Sequence, residues 1–240
     1  MIMPSDKDYK ETKQIMLGKK VMKPEFKPLA EWIDQTYGVK TINIFYDTID
    51  KGTRPRLEIC FEHPKEKAQF NGPNGFNFDS DKQKAIGKKF KETLKAQGLI
   101  SESGLFGLFK KQATSKYKTE NIWVIYGDFE SIARIEANES VPEKKVKELK
   151  AELDNKDIWE ISRAFSGTTF FLYTDEQVKK YENSEEHIKW TDKYFNLLTK
   201  YDEFGYFKRE FFSVCLDSKE NFDNNYESNW YYVRRQRKLD

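Results

Sequence analysis

At 240 residues the chain can bury one large core or two small ones. Charged residues reach 34% against 38% hydrophobic, with 19 Phe, 13 Tyr and 5 Trp. The core must therefore be largely aromatic, each such ring burying roughly 150–250 Å². A net charge of +2 does not by itself imply a polyanionic partner. No window reaches the ~18 apolar residues of a membrane span, and Met1–Lys20 lacks the apolar run of an export signal. The expectation is a cytoplasmic protein.

In chain order, residues 1–23 are Lys-rich and weakly periodic and read as a mobile N-terminal arm, with a strand or turn near Gln14–Leu17. Phe26, Leu29, Ala30, Ile33 and Tyr37 form one stripe, which predicts a helix over 24–37 closed by Gly38. Val39–Thr48 alternates, Asp50-Lys51-Gly52 is a turn, and Arg56–Glu62 is a second strand, giving a hairpin. His63–Phe78 reads as a loop. Ser80-Asp81-Lys82-Gln83 fits a capping box opening a helix that runs to about Gln97. A Gly-punctuated connection, 99–118, leads to a strand at Ile122–Tyr126, and Asp128–Asn138 suits either a short helix or a strand.

Ser140-Val141-Pro142-Glu143 predicts a second boxed helix start, carried through Val146, Leu149 and Leu153. Ile158–Phe165 and Thr168–Tyr173 flank a Ser166-Gly167 turn. A box at Thr174–Gln177 opens a short helix. A long helix over 184–201 carries Ile188, Thr191, Phe195 and Leu198, bordered by Trp190, Tyr194, Leu197 and Tyr201. Glu210–Leu216 is a strand, 217–229 a polar loop, and Trp230–Val233 a last strand before a basic tail.

These elements define an α+β fold of two similar αββαβ halves, each a hairpin plus a third strand covered by helices. The sheets are antiparallel or mixed, and whether they join is left open. The domain reading is an arm at 1–23, a first module at 24–138, a second at 139–233 and a basic tail at 234–240.

Chemistry is sparsely signalled. His63 and His187 have no second ligand at metal spacing. Asp217, Asn221 and Asp223 miss a calcium loop, because Phe222 occupies the position that needs glycine. Asp47 or Asp50 with Glu58 outlines an acidic hairpin, but Cys60 stands where a metal nuclease would place lysine. Cys60 and Cys215 lie in apolar runs and read as buried hydrophobes in a reducing compartment. No catalytic residue, metal or other cofactor is expected.

Charge distribution says more. Between Lys82 and Lys118 there are ten lysines against Glu92 and Glu102, and between Asp128 and Ser162 ten acids against six bases. Within the first segment, Leu105, Phe106, Leu108 and Phe109 sit between glycines and ahead of Lys110 and Lys111, an apolar cluster rimmed by lysine that suits partner contact. The reading that follows is a non-enzymatic, intracellular protein-binding module of the inhibitor or immunity type, occluding a toxin or enzyme. The alternative is a nucleic-acid-binding module using Lys84, Lys88, Lys89, Lys91 and Lys95, although lysine forgoes the bidentate phosphate contacts of arginine. The third is an enzyme whose carboxylates meet only in space.

Overall fold

The computed structural model describes residues 3–100 and 116–236, with side chains to 233. The chain divides into two compact units, Met1–Glu130 and Ser131–Asp240, so the division falls ahead of the expected boundary at 138.

In the first unit, α1 (Lys7–Met16) precedes a single 3-10 turn at Pro24–Phe26 and α2 (Lys27–Tyr37). Residues 7–16 of the segment read as a mobile arm are thus helical, and Tyr9 and Thr12 are buried. Gly38 closes α2 at φ 66°, ψ 40°, the left-handed region that spares glycine a Cβ penalty. β1 (Thr41–Ile49) and β2 (Arg54–Phe61) pair antiparallel through a turn in which Asp50 and Lys51 take φ 52° and 56°, the paired positive φ that matches hairpin twist. Strict alternation in β1 fails because a bulge lies between Thr41 and Asn43, so Thr41–Ile44 are all buried.

The expected loop after β2 contains α3 (Pro64–Ala68), at whose start the Glu66 side chain accepts from the His63 N–H. Next is α4 (Ser80–Ala96). Its cap is Asp79 instead of Ser80, and the Gln83 amide donates to the Val124 carbonyl instead of the helix start. β3 (Trp123–Asp128) runs parallel to β2, giving the order β1-β2-β3. One sheet face packs on α2 and α4 through Phe26, Leu29, Ile44, Leu57, Phe61, Phe90 and Tyr126.

α5 (Phe129–Ser140) settles the ambiguous stretch as helix. The second unit repeats the element order with α6 (Glu143–Leu153), β4 (Ile158–Ala164), β5 (Gly167–Leu172), α7 (Asp175–Tyr181), α8 (Glu185–Leu198) and β6 (Cys215–Ser218). β4 and β5 pair antiparallel, with a bulge between Ile158 and Glu160, and β6 adds parallel to β5. The expected box at Ser140 is not formed: Ser140 ends α5, and Pro142 flanks α6 without a side-chain cap. The Thr174–Gln177 box is present. On α8 the buried face is Trp190, Thr191, Tyr194 and Leu198, while Ile188 is exposed.

The strands therefore form two separate three-stranded mixed sheets. The strand expected over 210–216 is confined to Cys215–Ser218, behind a 3-10 turn at Arg209–Phe211. The polar loop and last strand expected after it are helices α9 (Lys219–Asn225) and α10 (Trp230–Gln236). These place Phe222 and Trp230 against Phe171 and Trp159 on the outer face of the second sheet. Cys60 is half-buried and Cys215 exposed, both as free thiols, so Cys215 is not the buried hydrophobe its apolar run suggested.

Candidate binding surface

Between α3 and α4 the chain makes a closed loop over Asn71–Phe78, and each turn residue in it has a local reason. Asn71 bridges Phe78 in antiparallel fashion. The Gly72 N–H donates to the Asn77 carbonyl, and the Gly75 N–H donates back to the Gly72 carbonyl across Pro73-Asn74. The Asn74 side chain accepts from the N–H groups of Phe76 and Asn77 at 3.2 and 3.4 Å, the local bond that suits Asn to turns. A Cβ on Gly72 would lie 3.1 Å from the Asn77 carbonyl oxygen, a tight approach that glycine relieves. At the base, Phe78 meets Tyr126 edge-on at 4.9 Å, and Tyr126 packs on Phe70 at 4.6 Å. The loop thus hangs on the aromatic core and displays Phe76 at 93% exposure.

The apolar cluster singled out in the sequence, Leu105, Phe106, Leu108 and Phe109 with Lys110 and Lys111, lies outside the described residues, as does the tail beyond 236. Of the α4 lysines, Lys84, Lys88, Lys91 and Lys95 recur at four- and three-residue steps and share a helix face. Lys84 pairs with Asp81, Lys88 with Glu92 and Lys91 with Glu120. Lys89 leaves that stripe and stands 5.7 Å over the Trp32 ring. It borders a groove of about 500 Å³ between α2 and α4, walled by Pro28, Trp32 and Ala96.

Carboxylates do converge beneath α1. In the antiparallel register Asp47 faces Arg56, while Glu58 follows two residues on along β2. Arg56 holds Asp47 through two of its nitrogens. Glu58 is 4% exposed, and burial first, then the charge of Asp8, push its carboxyl up to about 7. Burial raises the Asp8 carboxyl as well. Burial likewise raises the Cys60 thiol on the same strand, which opposes thiolate formation and any nucleophilic role. Among the described residues, no group of three or more His, Cys, Asp or Glu is arranged to hold a metal ion.

A second polar cluster lies where parallel strands β2 and β3 end. His63 Nδ1 meets Glu130 Oε2 at 2.7 Å, and its Nε2 lies 3.8 Å from Glu62 Oε1. Lys40 pairs with Glu62, and Lys67 lies 3.5 Å from Asp128. Glu66 accepts from the N–H groups of Lys40 and His63. Its groups thus bind one another, as a junction that fixes α3 and α5 to the strand ends would require.

Sequence reasoning missed the Phe76 loop, although its signal was present: an aromatic directly after Gly-Pro-Asn-Gly, where turn formers leave a side chain nothing to pack on. It also missed the His63–Glu130 contact, since 67 residues separate the partners.

A scan against protein-family models finds no match, and searches of curated proteins and of solved structures return none. What the chain itself defines is an α+β protein of two similar halves. No helix among the described residues is long and apolar enough to cross a membrane.

Proposed function

We propose that this protein works by binding another protein, as an inhibitor or immunity-type module that occludes a toxin or enzyme, with Phe76 as an anchor. The observation that carries this reading is the pairing of 93% exposure at Phe76 with a loop whose backbone is internally hydrogen-bonded. Burying such a ring in a partner pocket recovers roughly 1.5–3 kcal/mol. A preordered loop adds little ordering penalty on association. Aromatic anchors of this kind dominate interface energetics. The acidic stretch over 128–162 and the lysine stripe of α4 would supply charge steering.

The test takes the product of the adjacent reading frame as the candidate target. Purified full-length protein should bind it and block its activity. Phe76→Asp should weaken that complex at least tenfold without changing the melting temperature. Equal binding by Phe76→Asp would remove the anchor, and absence of any complex or protection would remove the inhibitor reading. The exposed stripe of Lys84 and Lys88, with side chains 78% and 81% accessible, favours nucleic acid as the second reading. Binding to mixed-sequence DNA or RNA that falls steeply with salt and is lost on Lys84→Glu and Lys88→Glu would establish it instead.

A further inference from the structure

The outer faces of the two sheets are covered in physically opposite ways. In the second unit the cover is aromatic, with Trp230 stacked on Trp159 at 5.8 Å and set edge-on to Phe171 at 5.1 Å. In the first unit the cover is α1, and of its ten residues only Tyr9 and Thr12 are buried. Tyr9 stacks on Phe129 at 5.3 Å, and the Thr12 hydroxyl accepts from the Asn43 amide at 3.3 Å. Next to those contacts lies Glu58, a carboxyl only 4% exposed on the same sheet face as Arg56 and its cross-strand partner Asp47. Among the described residues, the charged groups acting on it are Asp8 from α1, Asp47 from β1 and Arg56 from its own strand, and β3 places Ile125 opposite it in register. Asp8 is influenced in turn by Lys7 and Glu11 of its own helix.

We propose that α1 is a proton-latched strap, docked on the first sheet while Glu58 carries its proton and loosened as that proton leaves. The physical reason is direct. Docking buries the Glu58 carboxyl and brings the Asp8 carboxylate toward it, and both effects disfavour the charged form. The docked state therefore binds the proton more tightly than the lifted state, in which Glu58 returns toward its ordinary value. Lifting becomes easier as pH rises between those two values and insensitive to pH above the upper one. The small apolar contact of α1, centred on one ring, leaves this proton able to decide whether the helix stays down.

Hydrogen exchange of the full chain at pH 5, 6, 7 and 8, corrected for intrinsic exchange, tests the strap. The opening constant for amides of α1 should rise steeply from pH 5 to 7, by up to about tenfold per unit, and level off by pH 8. Amides of α4 should not follow. Glu58→Gln should flatten the profile, and Asp8→Asn should bring the plateau in at lower pH with a smaller rise. Flat α1 protection in the wild type, a slope unchanged in Glu58→Gln, or loosening of α4 in step with α1 would overturn the proposal. If Glu58→Gln does not fold, an Asp8→Asn profile identical to the wild type does so.

Discussion

The backbone N–H of Glu130 donates to the carbonyl of Glu62 at 3.0 Å, tying the first residues of α5 to the end of β2. In the second unit the Glu220 N–H donates to the Tyr173 carbonyl at 3.2 Å, tying α9 to the end of β5 in the same way. Each carbonyl directly precedes a helix start at which a side chain accepts from the N–H three residues before it, Glu66 from His63 in one case and Gln177 from Thr174 in the other. The two halves thus share a hydrogen-bonded junction as well as an order of elements. In both, an orphan N–H of a helix first turn is satisfied by the strand end beside it.

Asn138 is the residue on which the second unit should prove most dependent. It is 0% exposed, and its amide nitrogen donates to the carbonyls of Phe165 and Gly167, each at 2.9 Å. Its oxygen accepts from the hydroxyls of Thr168 and Tyr194 at 3.1 and 2.7 Å. Phe165 takes φ 54°, unfavourable for a bulky side chain, and Asn138 grips the peptide that follows it. Asn138→Ala would leave several buried polar groups unpaired. It should destabilise the unit by about 3 kcal/mol or more, read as a drop in the denaturation midpoint.

Much of this architecture was legible because local pattern and tertiary demand agree. The stripe of Phe26, Leu29, Ala30 and Ile33, Gly38 after it, and the Thr174 box each satisfy a local rule that packing also wants. Errors cluster where a contact distant in sequence decides. Residues 7–16 are helical although their apolar positions are few, and the buried ring, Tyr9, packs on Phe129, 120 positions away. Trp230–Val233 has the composition of a strand but is helix, because Trp230 packs over Trp159 and Phe222. The Glu58 cluster was half visible, since hairpin pairing gives Asp47 and Glu58 one face. Asp8, supplied by the segment read as an arm, was not.

Stability of the first unit should fall as pH rises from about 4.5 to 7. The native Glu58 carboxyl titrates near 7 against 4.5 unfolded, so the native state holds the extra proton across that window. The unfolded state binds fewer protons there, making the slope of unfolding free energy with pH negative. The full effect is about 3 kcal/mol. Glu58→Gln should remove it, so that urea midpoints at pH 5 and pH 8 draw together. An unchanged difference between them would assign the pH dependence to other groups.

Phe76 should be silent in the isolated protein. With 93% of it exposed, Phe76→Ser leaves the core untouched and should alter stability by less than about 0.5 kcal/mol. Gly72→Ala should behave differently, because its new Cβ presses on the Asn77 carbonyl and the loop must shift. A loss of about 1 kcal/mol is expected there. Exchange at the Gly75 and Asn77 amides should rise in Gly72→Ala and remain unchanged in Phe76→Ser.

The two halves also offer a matched pair of helix ends. α2 finishes on Gly38 at φ 66°, whereas α6 finishes on Asp154 at φ 45°, ψ 38°. Both N–H groups cap their helix, to Asp34 and Ala151 respectively. A left-handed residue with a Cβ carries a conformational penalty of roughly 1 kcal/mol that glycine avoids, partly offset by the greater freedom glycine gives the unfolded chain. The same substitution site should therefore respond with opposite signs in the two units. Gly38→Ala should destabilise the first unit by about 1 kcal/mol, while Asp154→Gly should stabilise the second by several tenths. Nothing lies within 4 Å of the position a Gly38 Cβ would take, so a loss there reports backbone conformation and not a clash. Differential scanning calorimetry of both variants decides it, and equal signs would mean that side-chain contacts, not the left-handed cap, govern these helix ends.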